Sequence, residues 1–303
     1  MQVKEHEPLA RLAWWRVGGP AGRFVVVETA AELAAELRET GGRPPLVLGN
    51  GSNLLAPDEG IAGTVLRLGG DFRATEVVHT HTRVDGRAIT RVRVGAGLPN
   101  TVLLNRLQKL RLGGAASLAG VPGTMGGAIA MNAGTTLGEI GDVVHAVEGI
   151  DAAGELRTLA RDDLPMRYRE GGLPAGFVVT AAVLNLTPDG FPEEQEAIAH
   201  HLARRKATQP IDLPSCGSTF RNPQGDTAGR LIEAAGMKGH REGAAEISRK
   251  HANFIVNLGD ATATDVMRCI RAAWEGVRAH AGVSLHPEVH VVGRWDAAMW
   301  PLG

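Results

Sequence analysis

The sequence predicts a mixed α+β protein of more than one domain. Three observations carry that prediction. The chain opens strand–helix–strand. Stretches rich in β-branched residues then alternate with amphipathic helices to its end. One turn-rich break, "PDGFP" at 188–192, interrupts the pattern. At 303 residues the chain is long enough for more than one core.

Each element has a local reason. "RFVVVET" (23–29) is an apolar run of strand length, and the "TAAELAAELRE" helix follows it. Thr29 and Glu32 have capping-box spacing there, and Leu33 and Leu37 share one face. "PPLVLG" and "GTVLRL" are short strands. "ATEVVHTHTRVDGRAITRVRVGAG" is a hairpin turning at Asp85–Gly86. "LPNTVLLNRLQKLRL" is a helix stopped by Gly113–Gly114. "VVHAVEGIDAAGELRTL" holds two strands around a turn, and "FVVTAAVLNLTP" one more. Beyond the break come the helix "EEQEAIAHHLARRKATQ", with His200 and His201 on solvent, a Cys-Gly-Ser loop, and the helix "TAGRLIEAAG". The strand "ANFIVNLG", the helix "TATDVMRCIRAAWEGVRAHAG" and a final strand "PEVHVVG" complete the chain. Val266, Ile270, Trp274 and Val277 recur at helical spacing and read as a core stripe.

Composition narrows the function. Thirty-two basic against 33 acidic residues give a net charge of -1, with no basic stripe, which argues against a nucleic-acid partner or an anionic membrane surface. The N-terminus lacks the apolar core of a signal peptide. The long uncharged run at 112–138 is too rich in glycine and hydroxyl groups for a membrane helix. Two distant cysteines, Cys216 and Cys269, fit a reduced, cytoplasmic protein. Nothing points to an obligate protein partner.

Glycine, at 40 of 303 residues, is in excess. It gathers in three loops without bulk: "GNGSNLL" (49–55), "GAGLPN" (95–100) and "SLAGVPGTMGGAIAMNAG" (117–134). Glycine lets a ligand approach the main chain, and clustered N–H groups make anion nests. A diphosphate suits them. Neither G-x-G loop completes the Rossmann fingerprint, and there is no P-loop. Together the loops suggest an extended dinucleotide, neutralised mainly by backbone dipoles.

"GNGSNLL", "SLAGVPGTMGGAIAMNAG", "RYRE", "CGSTFRNP" and "HPEVHVVG" occur in that order. In order and spacing the chain resembles the UDP-N-acetylenolpyruvoylglucosamine reductase family, from about residue 9 to residue 293, and "LARLAWWRVGGPA" resembles that family's usual opening. The resemblance implies an FAD-binding domain of the vanillyl-alcohol-oxidase/p-cresol-methylhydroxylase type, in two α/β subdomains (1–66 and 67–190), and a C-terminal α/β substrate-binding domain (191–303). It implies that Gly49, Asn50, Gly51, Ser52, Asn53 and Leu54 hold FAD from one side. Gly97, Gly120, Pro122, Gly123, Thr124, Gly126, Gly127, Asn132 and Gly134 would line it from the other. The flavin loops carry no His or Cys to tether it, so FAD is expected to be non-covalent. No metal is expected.

The resemblance also implies three catalytic residues: Arg169 in "RYRE", Ser218 as proton donor and Glu288. Lys206 and Asn222 would contact substrate. NADPH would pass a hydride to flavin. UDP-GlcNAc-enolpyruvate would then take the hydride at its terminal vinyl carbon, Arg169 and Glu288 would stabilise the enediolate, and Ser218 would protonate the neighbouring carbon. Lys206 and Arg221 are candidates to steady the serine alkoxide. Cys216 reads as a structural thiol. Two departures stand out. Gly171 replaces the family's usual serine two residues after the arginine. Tyr168 is the single tyrosine, so none is left for the substrate-covering loop of longer members. The residues alone leave other readings open: an FAD-dependent oxidase or dehydrogenase, a flavin-binding module, or a metal site if His286, Glu288 and His290 share a strand face.

Overall fold

The computed structural model describes residues 1–40, 44–82, 86 and 88–302. The chain forms two compact units. The first comprises Met1–Val3, Val25–Asn50 and Val65–Ala203; the second comprises Lys4–Phe24, Gly51–Thr64 and Arg204–Gly303. Residues 66 and 190, the expected borders, both fall inside the first unit.

The first unit is built on a five-stranded antiparallel sheet. Its order is Leu156–Ala160, Val144–Ile150, Val178–Leu186, Ala88–Gly95, Thr75–Thr82. The last two strands pair as the expected hairpin, although Asp85 of its turn lies outside the described residues. Val92, Val94, Val147, Ala182 and Leu184 belong to the core beside this sheet. Helix α1 (Ala30–Glu39) buries Leu33 and Leu37 as its spacing requires. Its capping box is altered: Thr29 accepts from Glu32 N at 3.3 Å, while the Glu32 carboxylate accepts from Glu28 N at 2.7 Å, one residue earlier than a standard box. Helix α2 (Asn100–Lys109) stops before the predicted Gly113, because Arg111 turns to a φ of 57°. Gly113 serves a close approach instead: a Cβ there would lie 2.5 Å from the carbonyl carbon of Gly190. Helix α3 (Met125–Ala130) buries Met125, Ala128 and Ile129, and helix α4 (Phe191–Thr208) follows the turn-rich break. The strand expected at 44–49 is only Leu46–Val47, paired parallel to Ile61–Leu68.

The second unit packs helices α5 (Ala228–Ala234) and α6 (Ala263–Ala281) with the small sheet Arg241–Glu242, Ala245–Ile247, Ile255–Asn257. The α6 stripe is core: Val266, Ile270, Trp274 and Val277 are all buried. A Thr262/Asp265 capping box starts α6, and the Asp58 carboxylate accepts from Ala263 N and Thr264 N at 2.7 and 2.9 Å. Trp15, from the N-terminal stretch, is fully buried in this core. Its indole N–H donates to Ile255 O at 2.6 Å, and Asn257 donates back to Trp15 O at 2.8 Å.

Candidate cofactor and catalytic sites

The glycine-rich loops of the first unit meet around a cleft of about 610 Å³. Gly49, Asn50, Gly97, Thr124, Gly126 and Gly127 line it. The loops are locked together. Asn50 donates to Gly123 O at 3.4 Å, Asn100 N donates to Gly123 O at 3.1 Å, and Gly126 N donates to Ala96 O at 2.8 Å. A Cβ on Gly49 would sit 2.8 Å from Thr124 Oγ1, and one on Gly97 would sit 2.5 Å from Leu68 O. Those two glycines let one loop press on the next. Gly127 is different. A Cβ there would meet only Thr124 Oγ1, at 3.9 Å, so the protein leaves room for a side chain. A glycine inside a helix costs about 1 kcal/mol relative to alanine. Gly127 and Ala130 keep the cleft-facing side of α3 flat, which fits a large planar ligand.

The cleft also holds residues that the loop motifs do not reveal. Leu173, Phe177, Val178 and Val179 line it with apolar side chains, and Arg67 brings a cation to the first, otherwise uncharged, glycine loop. Arg67 is half-buried and donates to Asn50 Oδ1 at 3.4 Å. Burial, and behind it the like charge of Arg73, holds its guanidinium below the usual arginine range. The alternation of "TVLRL" marks Arg67 as facing away from Leu66 and Leu68, and nothing more in the sequence marks it.

Gly51, Ser52, Asn53 and Leu54, also expected to hold FAD, lie in the second unit. Gly51 sits at a φ of 64°, and a Cβ there would lie 2.1 Å from Leu12 O, so this glycine serves the packing of the N-terminal stretch. Leu54 is buried, and its strand Leu54–Leu55 pairs parallel with His290–Val291. Ser52 and Asn53 are half-buried beside them.

Two residues of the glycine run are also tied to other parts of the protein. Asn132 is buried, and both ends of its amide are engaged by protein. Its oxygen accepts from Gly141 N at 2.9 Å, and its nitrogen donates to Glu139 Oε2 at 2.7 Å and Arg167 O at 3.1 Å. It ties the glycine run to the "RYRE" turn. Gly134 O likewise accepts from Arg169 Nη2 at 3.3 Å. Gly120, Pro122 and Gly123 are half-buried in the same run, with Gly120 and Gly123 at φ values of 70° and 112°.

The turn that carries Arg169 is tight. Arg167 and Glu170 exchange main-chain hydrogen bonds of 2.8 and 2.9 Å, which leaves Tyr168 and Arg169 at the tip. Arg169 takes a φ of 60°, a conformation that costs a non-glycine residue about 1–2 kcal/mol. Its guanidinium lies 4.7 Å from the centroid of the Tyr168 ring. Gly171 explains the missing serine. Its N–H donates to Ala130 O at 2.9 Å, and a Cβ would lie 2.1 Å from Ile129 O. The turn is pressed against the end of α3, and no side chain fits there.

Ser218 and Glu288 lie on neighbouring segments of the second unit. Glu288 N donates to Thr219 O at 2.8 Å, Arg221 N donates to His286 O at 2.8 Å, and Phe220 bridges Pro287. Asn53 binds the same place: its amide donates to Glu288 O at 3.0 Å, and its carbonyl accepts from His290 N at 3.1 Å. The organiser is Asn253, which the sequence motifs did not single out. It is buried, accepts from Phe220 N at 2.9 Å and donates to Phe220 O at 2.8 Å, while its own carbonyl accepts from Thr219 N at 2.8 Å. A polar residue inside the apolar run "ANFIV" was the available signal, because a buried amide must find partners.

The remaining expectations divide. "HPEVHVVG" is not one strand: only His290–Val291 is extended in a sheet, with a bend at Val289, so His286, Glu288 and His290 do not share a strand face. Asn222 Oδ1 accepts from Ala228 N at 3.0 Å, which caps α5. Lys206 is exposed on α4, and its carbonyl accepts from Lys250 Nζ at 2.7 Å. His201 is half-buried and meets Thr136 Oγ1 at 3.3 Å, whereas His200 is exposed. Cys216 is buried against Leu54 O, and burial pushes its thiol up to about 12, so it is a structural thiol. Among the described residues, no helix is long and apolar enough to cross a membrane.

The fold and the glycine-lined cleft define a flavoprotein. Residues 21–160 match the family model for an FAD binding domain, and residues 209–292 match that for the C-terminal domain of UDP-N-acetylenolpyruvoylglucosamine reductase. UDP-N-acetylenolpyruvoylglucosamine reductases from Alkalilimnicola ehrlichii and Methylococcus capsulatus are 44% and 43% identical to this chain. They cover 96% and 97% of it, and it covers 95% and 94% of them. The crystal structure of UDP-N-acetylenolpyruvylglucosamine reductase from Thermus caldophilus superposes with a TM-score of 0.81 at 36% identity, covering 96% of this chain and 98% of that one. The chain belongs to the UDP-N-acetylenolpyruvoylglucosamine reductase family and is an FAD-dependent oxidoreductase.

Proposed function

We propose that Arg169, Glu288 and Ser218 carry out the reduction of UDP-GlcNAc-enolpyruvate to UDP-N-acetylmuramate in peptidoglycan precursor synthesis. FAD, when bound, would supply the two-electron chemistry that links NADPH to the enolpyruvyl double bond. Asn50, Thr124, Gly126 and Gly127 hold the cofactor in the cleft of the first unit, without a covalent link. Arg169 faces the substrate carboxylate and stabilises charge that builds on it as the hydride arrives. Its left-handed backbone, fixed by the Arg167–Glu170 pairing, presets that guanidinium. Glu288 hydrogen-bonds the same developing enediolate. Ser218 gives its hydroxyl proton to the carbon that bears the ether oxygen, which completes the lactyl group. Arg221 and Lys206 are the candidates to steady the serine alkoxide. Lys206 and the amide nitrogen of Asn222 serve the substrate's phosphates and sugar. The buried, free thiols Cys216 and Cys269 suit the cytoplasm, where NADPH is drawn on.

The observation that best supports this assignment is the direct bonding of the Ser218 and Glu288 segments, Glu288 N to Thr219 O, under one buried amide. Anaerobic rapid-mixing absorbance tests it. Ser218→Ala is expected to bleach with NADPH at the wild-type rate. Recovery of the oxidised spectrum on adding UDP-GlcNAc-enolpyruvate should slow by about 10²–10⁴-fold, the usual contribution of a general acid. An unchanged second half-reaction would remove Ser218 from the mechanism.

A further inference from the structure

Among the described residues that line the cofactor cleft, Arg67 is the one charged side chain. It is half-buried, and among the described residues it forms no ion pair; its hydrogen-bond partner is neutral, the Asn50 side-chain oxygen. The nearest charge acting on it is another cation, Arg73. A guanidinium withdrawn from water, unpaired and beside a like charge, is an electrostatic vacancy for an anion. Its position says which anion. Asn50 belongs to the first glycine loop and also donates to Gly123 O of the second, so it fixes Arg67 where the two loops join. On the other side the cleft is apolar, with Leu173, Phe177 and Val178 suited to a flat ring.

We propose that Arg67, aimed by Asn50, is the cation that binds the diphosphate of FAD and so sets how tightly the cofactor is held. This adds one side-chain charge to the backbone dipoles expected to do most of the neutralising. Arginine suits the task because its planar fork meets phosphate oxygens in pairs. The proposal rests on the cleft being the cofactor's place, and the test separates the two.

The experiment is titration of apoprotein with FAD, followed by quenching of flavin fluorescence. Arg67→Met keeps the stem and removes the charge. It is expected to weaken FAD binding on the order of 10- to 100-fold, the range for a charge-assisted hydrogen bond at a desolvated site. Raised salt should weaken wild-type binding more than that of the variant. Arg67→Lys keeps the charge without the fork and should fall between, which keeps the test open if the methionine variant folds poorly. Riboflavin lacks the diphosphate and should bind wild type and Arg67→Met equally.

Unchanged FAD affinity in Arg67→Met would overturn the proposal. So would an equal loss for FAD and riboflavin, which would make Arg67 a matter of shape. If instead the FAD-saturated variant showed a raised KM for NADPH alone, the phosphate would belong to NADPH and the proposal would again fall. Gly127→Leu is the control on the cleft itself. A Cβ there meets only Thr124 Oγ1, at 3.9 Å, so the side chain starts into open space, and unchanged FAD binding would sink the cleft assignment independently of Arg67.

Discussion

Replacing Asn253 by alanine should loosen the loop that carries Ser218, and the size of the effect follows from its contacts. Asn253 serves both polar groups of the Phe220 peptide, N–H at 2.9 Å and C=O at 2.8 Å. Phe220 is 1% exposed and Asn253 3%, so water does not take over. Each orphaned buried group costs about 1–3 kcal/mol. Two of them predict a loss of about 2–6 kcal/mol, which most folded proteins of ordinary stability survive. That corresponds to a fall in Tm on the order of 10 °C. The main-chain bond from Thr219 N to Asn253 O persists, so the loop should shift rather than detach. A shift on the order of 1 Å at Ser218 is enough to slow proton donation by about tenfold or more. Asn253→Asp keeps the acceptor, loses the donor and sets a carboxylate against Phe220 O, so it should be no more stable than the alanine variant at neutral pH. Thermal unfolding and the two half-reactions give the answer. Wild-type stability in Asn253→Ala, or an equal slowing of both half-reactions, would refute the reasoning.

Two further predictions complete those already stated. Gly171→Ser restores the residue usual in the family, yet its Cβ would fall 2.1 Å from Ile129 O, so overpacking should cost about 1–3 kcal/mol and lower, not raise, turnover; a stable and faster variant would show that the turn has room. His251 has its pKa lowered from 6.5, mainly by burial and then by Lys238, and its Nδ1 accepts from Asn253 N at 3.3 Å, which requires that nitrogen to be unprotonated. A folded pKa below the unfolded one means that its contribution is complete above about pH 6.5 and is lost as pH falls toward the folded value. Urea unfolding between pH 7 and 5 should therefore show a smaller decline for His251→Gln than for wild type, and parallel curves would exclude His251 as a source of it.

Much of this molecule could be read from its residues, and the exceptions share a cause. The α6 stripe and its capping box are local patterns, repeated at helical spacing or fixed three residues apart, and they appear where the sequence puts them. The glycine runs announced a ligand cleft because lack of bulk is itself a local property. Strand lengths were less legible. "ANFIVNLG" and "PEVHVVG" became Ile255–Asn257 and His290–Val291, because pairing stops where the neighbouring strand stops, and those neighbours are remote in sequence. Arg67 and Asn253 look ordinary in a line of text; one matters through Asn50 and the other through Phe220. Gly171 was visible as a departure, but its reason, the carbonyl of Ile129, was not. Interleaving of the two units was hidden for the same reason.

That interleaving sets a timetable for the newborn chain. Trp15 is among the first residues made, and its burial depends on Ile255, 240 positions later. At about 5–20 residues per second, a ribosome needs about 12–48 s to supply that partner. Throughout that interval a large apolar ring and its indole N–H have no native home. Folding of the early segment onto its core is therefore a late event of synthesis, set by the last third of the chain.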